Sequence, residues 1–194
     1  MNRSICFAAL LGAALVPSAA LADSPREFLR HALQGDNSEM MLGRLAADRG
    51  RSSGVRDYGQ TLASDHSQAR EEVLEVGRRF GLRPDRDPAP EARDERNKLM
   101  GLRGRDFDRE FVRYMIDDHR KDIADFRDEA REHHGPVSDL AQRQLPTLQK
   151  HLDTALALGR DNGRFDNGRF DQTRDRNDRY DRQDRDDRDY RRDR

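Results

Sequence analysis

Four long stretches of this chain carry apolar side chains every third or fourth residue, the spacing of one face of an α-helix. They begin near Ser24, Val55, Asp106 and Val137, and none shows the alternation expected of a β-strand. Amphipathic helices of this length bury their apolar stripes against one another. The pattern therefore predicts an all-α bundle built from four long helices.

Capping residues and turns divide the four stretches into two helical hairpins. Ser24-Pro25 predicts the start of the first helix, and a Gly- and Ser-rich turn at 50–54 precedes the second, which extends to about Phe80. Asp106 is predicted to cap the third helix. That helix ends before Gly135-Pro136, where the fourth begins.

The connection between the two hairpins, residues 81–105, is long and rich in Pro and Arg. It carries a short predicted helix from Glu91 to Leu102. Two hairpins joined by one long crossover form a ferritin-like four-helix bundle. A plain up-down-up-down bundle is the alternative, but it would not need so long a link.

The N-terminal segment, residues 1–22, has the features of a secretory signal peptide. Arg3 precedes a 12-residue apolar stretch, and Ala20-Leu21-Ala22 supplies the small residues of a cleavage site before Asp23. We therefore expect export to the periplasm or beyond. The stretch is too short for a membrane span of about 20 residues. Cys6, the only cysteine, would be removed, which excludes disulfides and thiolate sites.

The C-terminal segment, residues 159–194, is dense in Arg and Asp and contains no aliphatic residue. With nothing apolar to bury, it is expected to be a disordered tail after a bundle domain at 23–158. A functional alternative is weak contact with cell-envelope material through its arginines and aromatic residues. The net charge of −1 gives no basic surface for nucleic acid.

Each long helix has one polar residue that interrupts its apolar stripe: Glu39, His66, His119 and His151. We estimate the height of each polar residue from its distance to the turn, at 1.5 Å per residue. The two polar residues of each hairpin then lie at the same height, near mid-helix. If the hairpins pack in register, all four side chains face one another in a single layer.

Three imidazoles and a carboxylate in an apolar bundle suit a divalent transition ion such as zinc, iron, copper or manganese. Asp65 and Asp118 border the same face. Each is expected either to accept a hydrogen bond that orients an imidazole or to act as a bridging ligand. Asp122 is a weaker candidate for the same roles. The alternative is a metal-free network in which carboxylates accept hydrogen bonds from the imidazoles.

Short motifs along residues 25–158 resemble an exported bacterial family, the Domain of Unknown Function 4142 family, whose members are often labelled outer membrane proteins. The motifs are Phe28-Leu29, Glu39 with Gly43, Leu45 and Ala46, Val55, Tyr58, Asp65-His66, Gly101-Leu102, Gly104, Phe107-Asp108, His119, Leu145-Pro146 and His151-Leu152. The resemblance implies a ferritin-like helical bundle and no established reaction.

The histidines depart from the di-iron pattern of ferritin-like proteins, which carry Glu-x-x-His on two helices. None of the six histidines has a Glu three residues before it, so a single ion held mostly by imidazoles fits better than oxygen-activating chemistry. No other catalytic motif is present, so the sequence favours a binding role over an enzyme. His31, His133 and His134 are expected at the surface or at helix ends.

A metal-free envelope or stress-related scaffold that acts partly through its tail is the alternative function.

Overall fold

A computed structural model of the protein describes residues 24–132 and 134–161, and within them the chain forms five α-helices and no strand. They are α1 (Pro25–Arg49), α2 (Ser53–Gly77), α3 (Pro90–Gly101), α4 (Gly104–Glu132) and α5 (residues 136–161), with a 3-10 turn at Arg78–Phe80 after α2. The all-α prediction is confirmed. The expected leader and residues 162–194 of the expected tail lie outside the described residues, whereas residues 159–161 continue α5.

Side-chain caps start the first two helices. Ser24 accepts a hydrogen bond from the backbone N–H of Glu27 at 3.3 Å, and Ser52 accepts one from Val55 at 3.2 Å. The prediction for Asp106 was wrong, because α4 begins two residues earlier, at Gly104. Asp106 lies in the first turn instead, where a negative charge interacts favourably with the helix dipole.

One buried carboxylate ties the start of α4 to the α1–α2 turn. Asp108 accepts hydrogen bonds from the backbone N–H groups of Arg51 and Ser52 at 2.8 and 2.9 Å. Since α2 starts at this turn and α4 starts beside it, the two helices run in the same direction. Parallel α2 and α4 require a connection that spans the bundle, which confirms the long-crossover topology and excludes the up-down-up-down alternative.

The crossover is fastened to the middle of α1. Asn37 donates hydrogen bonds to the backbone carbonyls of Asp85 and Asp87, and Ser38 accepts one from the backbone N–H of Ala89. The short helix α3 follows, one residue earlier at each end than predicted. No helix within the described residues combines the length and apolarity needed to cross a bilayer.

The bundle has two apolar clusters, one on each side of its middle. The first, near the start of α1, includes Phe28, Leu29, Leu33, Val73, Leu74, Ile123, Phe126, Leu140 and Leu148. The second, near the α1–α2 turn, includes Leu42, Ala46, Val55, Leu62, Leu99, Phe107, Phe111, Met115 and Ala155. Residues 39, 66, 119 and 151 fall between the two clusters along their helices, so the polar layer lies inside a core that is apolar above and below it.

Helices α1 and α2 approach each other most closely at two glycines. A Cβ placed on Gly59 would lie 2.5 Å from the backbone oxygen of Gly43 and 2.7 Å from the backbone nitrogen of Ala47. Backbone atoms cannot move aside as a flexible side chain can. The crossing therefore requires glycine at this position.

Gly59→Ala is expected to force α1 and α2 apart and lower the free energy of unfolding by about 1 to 3 kcal/mol, the usual cost of overpacking. Gly35→Ala is the matched control on α1, because its Cβ would meet no atom within 4 Å. The control should gain about 0.5 to 1 kcal/mol from helix propensity. Urea unfolding measures both. Equal stability of the two variants would contradict the close crossing.

Candidate metal centre

The four polar residues predicted from the helical stripes meet in one layer. Relative exposure is 0% for Glu39 and His119, 1% for His151 and 5% for His66. The three imidazole centroids are 5.2 to 6.0 Å apart. The matching heights estimated from the turns are therefore correct, and one residue from each long helix reaches the same point of the bundle.

His119 and His151 each use one ring nitrogen to fix the orientation of the ring. His119 Nδ1 lies 3.0 Å from the backbone oxygen of Met115, and His151 Nε2 lies 2.9 Å from Asp65 Oδ2. A carbonyl or carboxylate oxygen only accepts, so the proton of each neutral ring lies on the nitrogen that makes this bond. The other nitrogen, Nε2 of His119 and Nδ1 of His151, keeps its lone pair.

His66 lies between two carboxylates. Its Nδ1 is 2.9 Å from Asp36 Oδ1 in a hydrogen bond, and its Nε2 is 3.0 Å from Glu39 Oε2, an ion-pair distance without the alignment of a hydrogen bond. Glu39 also reaches His119, with Oε1 at 3.3 Å from Nδ1. Glu39 therefore stands beside two of the three imidazoles and supplies negative charge to the layer.

The inward-facing atoms of the layer are buried but lack hydrogen bonds. Among the described residues, His66 Nε2, His119 Nε2, His151 Nδ1 and both carboxylate oxygens of Glu39 have no hydrogen-bond partner. Buried polar atoms are normally satisfied, because leaving one unpaired costs about 1 to 3 kcal/mol. The three histidines can each present one nitrogen so that all three atoms lie within 4.8 Å of one another.

The pKa values of the layer separate one charged histidine from two neutral ones. Burial alone would lower the pKa of His66, but the nearby charges of Glu39 and Asp36 outweigh it and raise this pKa well above its ordinary value. Burial lowers the pKa of both His119 and His151. Burial would raise the pKa of Glu39, yet attraction to His119 and His66 holds it well below its ordinary value.

The outer carboxylates are arranged partly as the sequence predicted. Asp65 does orient an imidazole, but that of His151 on α5 rather than its chain neighbour His66. Asp118 forms a second group with Glu39 and His119, with one ligand atom of each within 4.8 Å of the others. Burial, and then the negative charge of Glu39, raise the pKa of Asp122 to about 7.

Asp36 is the site residue that the sequence analysis missed. It is buried, it holds Nδ1 of His66, and burial raises its pKa to about 6 although the bond to His66 opposes this. Its position three residues before Glu39 was the available signal, because residues three apart share a helix face. Of the histidines expected outside the site, His31 and His134 are exposed, and His133 lies outside the described residues.

A cavity of about 1260 Å³ opens beside the layer. His66 and His151 line its inner end, together with Asp36, Asp65 and Asp118. Exposed residues such as Asp117 and Asp125 lie at its outer part, so it connects the imidazoles to solvent. Its charged lining is mostly acidic, which raises the local concentration of cations.

Comparison with known proteins gives a family and a fold. The family model described as "Domain of unknown function (DUF4142)" matches residues 12–158. A solved structure, a DUF305 fragment from Deinococcus radiodurans, is similar in fold: its TM-score is 0.62 at 23% identity, and the match covers 70% of this chain and 95% of that one. No curated protein matches the chain.

The three histidines should titrate differently in protein kept metal-free with a chelator. At pH 7.5 we expect a doubly protonated His66, a neutral His119 with its proton on Nδ1, and a neutral His151 with its proton on Nε2. Long-range ¹H–¹⁵N NMR correlations distinguish these forms.

Protonated His66 stabilises the folded protein, because its pKa is higher in the folded state than in the unfolded state. This stabilisation is complete below the pKa of an unfolded histidine, about 6.5. It is lost as the pH rises through the higher pKa of the folded state. Three neutral rings in the NMR spectrum at pH 7.5 would contradict the ion pair of His66 with Asp36 and Glu39.

Proposed function

This chain belongs to the family described as Domain of unknown function (DUF4142), a description that names no reaction, and we propose from its buried layer that it binds a divalent transition-metal ion. The proposed ligands are His66, His119 and His151, with Glu39 as the adjacent carboxylate. The role is binding, and the proposal includes no reaction.

The proposal rests on the placement of the three buried imidazoles: each can present one nitrogen so that all three atoms lie within 4.8 Å of one another, and one nitrogen of each ring has no hydrogen-bond partner among the described residues. A metal-free network that served stability alone would satisfy these nitrogens internally. Imidazole nitrogens in this number are typical ligands of zinc, copper, iron and nickel. A bound ion would accept the lone pairs of His119 and His151, and that of His66 once its Nε2 has released its proton.

The contacts on the far side of each ring support the same interpretation. Metal-binding histidines usually donate the other ring N–H to a carboxylate or a backbone carbonyl, which fixes the ring and makes it a better donor. His66 has Asp36, His119 has the Met115 carbonyl and His151 has Asp65 in this role. Each ring is thus held through one nitrogen by a hydrogen bond, which leaves its other nitrogen for a metal.

Charge balance also favours a cation at this point. Without metal, the proton on His66 neutralises Glu39 across the 3.0 Å contact. Binding would release the proton of His66 Nε2 while Nδ1 keeps its bond to Asp36. A divalent cation beside Glu39 would then neutralise the carboxylate in place of that proton. Because protons compete with the metal for His66 Nε2, metal affinity should fall as the pH decreases.

Export of the protein is part of the same proposal. Residues 1–22 have the composition of a leader, and residues 23–194 contain no cysteine. Imidazoles and carboxylates are not oxidised as thiols are. A ligand set of this kind can therefore bind a metal in the oxidising periplasm.

We expect protein purified without an affinity tag and stripped of metal to bind one Zn²⁺ per chain tightly at pH 7.5, measured by calorimetry. At 100 times the Kd, binding adds about 2.7 kcal/mol of stability and raises the Tm by roughly 8 °C. His66→Gln, His119→Gln and His151→Gln should each weaken binding by at least about 100-fold, more than the loss usual for an outer contact.

His134→Gln is the matched control, since this histidine is exposed at the α4–α5 turn. It should bind zinc as the wild type does. Circular dichroism checks that the buried variants still fold. If neither zinc, copper nor iron binds folded wild-type protein or shifts its Tm, the metal proposal is wrong and the layer is a metal-free network.

The export proposal is tested by the N-terminus of the protein purified from bacterial cells. The periplasmic form should begin at Asp23, and Ala20→Gln should block this cleavage because the site requires a small side chain there. Leu21→Gln, at the intervening position, should be cleaved normally. A chain that keeps Met1 and stays in the cytoplasmic fraction would contradict export.

A further inference from the structure

A second group of metal-ligating side chains adjoins the three imidazoles. Glu39, Asp118 and His119 can each present one atom so that all three atoms lie within 4.8 Å of one another. Glu39 is fully buried, and neither of its carboxylate oxygens has a hydrogen-bond partner among the described residues. The charge of Glu39 is balanced by His66 at 3.0 Å, and the proton of His66 is released when the first ion binds, so the carboxylate is then available to cations.

Carboxylates are crowded on this side of the layer. Asp118 and Asp122 are one turn apart on α4, and both line the cavity. Asp118 can place a carboxylate oxygen within 4.8 Å of an oxygen of Glu39 on α1. Carboxylate oxygens from neighbouring helices are ligands that hard divalent cations prefer.

The cavity gives this group a route to solvent through Asp118. Asp118 and Asp122 line the cavity, whereas Glu39 and His119 lie behind it. A cation beside Asp118 would therefore keep water molecules among its ligands. It would also exchange with solvent more readily than one surrounded by the three buried imidazoles.

We propose that Glu39 and Asp118 hold a second divalent cation, next to the first and sharing the Glu39 carboxylate with it. The inference rests on the proposed function for the first position. A histidine nitrogen binds one ion, so His119 Nε2 serves the first ion when both are bound. The second position then consists of carboxylate oxygens and water, the ligands preferred by harder ions such as Mn²⁺ and Mg²⁺.

The experiment titrates Mn²⁺ into protein that already holds one equivalent of Zn²⁺ and follows the loss of the free six-line Mn²⁺ signal by electron paramagnetic resonance. We expect one Mn²⁺ to bind per zinc-loaded chain. Asp118→Asn should weaken Mn²⁺ binding at least about 10-fold and leave zinc binding at one per chain.

Asp117→Asn is the matched control. It makes the same change of charge one residue away, at an exposed side chain that pairs with Arg113. It should bind Mn²⁺ as the wild type does. Replacing Zn²⁺ by Co²⁺ in the first position should broaden the bound Mn²⁺ signal, because two ions that share a carboxylate lie within a few ångströms.

The titration distinguishes failure of the imidazole site from failure of the carboxylate position. If the zinc-loaded protein binds no Mn²⁺, or if Asp117→Asn and Asp118→Asn weaken binding equally, the second position is refuted and the first is retained. If zinc does not bind but metal-free protein binds Mn²⁺ through Asp118, the imidazole site is refuted and the carboxylate position is retained.

Discussion

Burial of an ionisable layer between two apolar clusters is the constraint on which the rest of this bundle depends. Removing Glu39 and His66 from water costs several kcal/mol for each ion unless the charges are paired closely. Here His66 lies within 3.0 Å of both Asp36 and Glu39. Sliding any helix by one turn would separate these groups and move a polar side chain against Leu42, Met115 or Leu148, so the layer also fixes the register of the helices.

The same layer differs from an ordinary buried network in what it leaves unsatisfied. A network that served stability alone would satisfy every donor and acceptor. In this bundle one nitrogen of each imidazole has a hydrogen-bond partner, whereas the second nitrogens of His119 and His151 have none, and Glu39 meets His66 and His119 at ion-pair distances without hydrogen-bond alignment. The stability given up at these atoms is consistent with a site held ready for a cation, and the acidic cavity beside it provides access from solvent.

The sequence predicted the fold and the four layer residues because both follow from periodicity and turn position. Asp36 was missed because it lies beside the apolar stripe of α1, although its spacing to Glu39 placed it on the same face. Asp65 was predicted to orient an imidazole, but the sequence did not show that this imidazole belongs to His151 on another helix. Pairings between helices depend on packing angles that one sequence does not reveal.

Whether the three buried imidazoles bind one ion can be measured by X-ray absorption spectroscopy of the zinc-loaded protein. We expect about three nitrogen ligands at roughly 2.0 to 2.1 Å, with the outer-shell scattering of imidazole rings. That scattering should decrease by one ring in His151→Gln. A first shell of oxygen alone, with no imidazole scattering, would show that the histidines do not bind the ion.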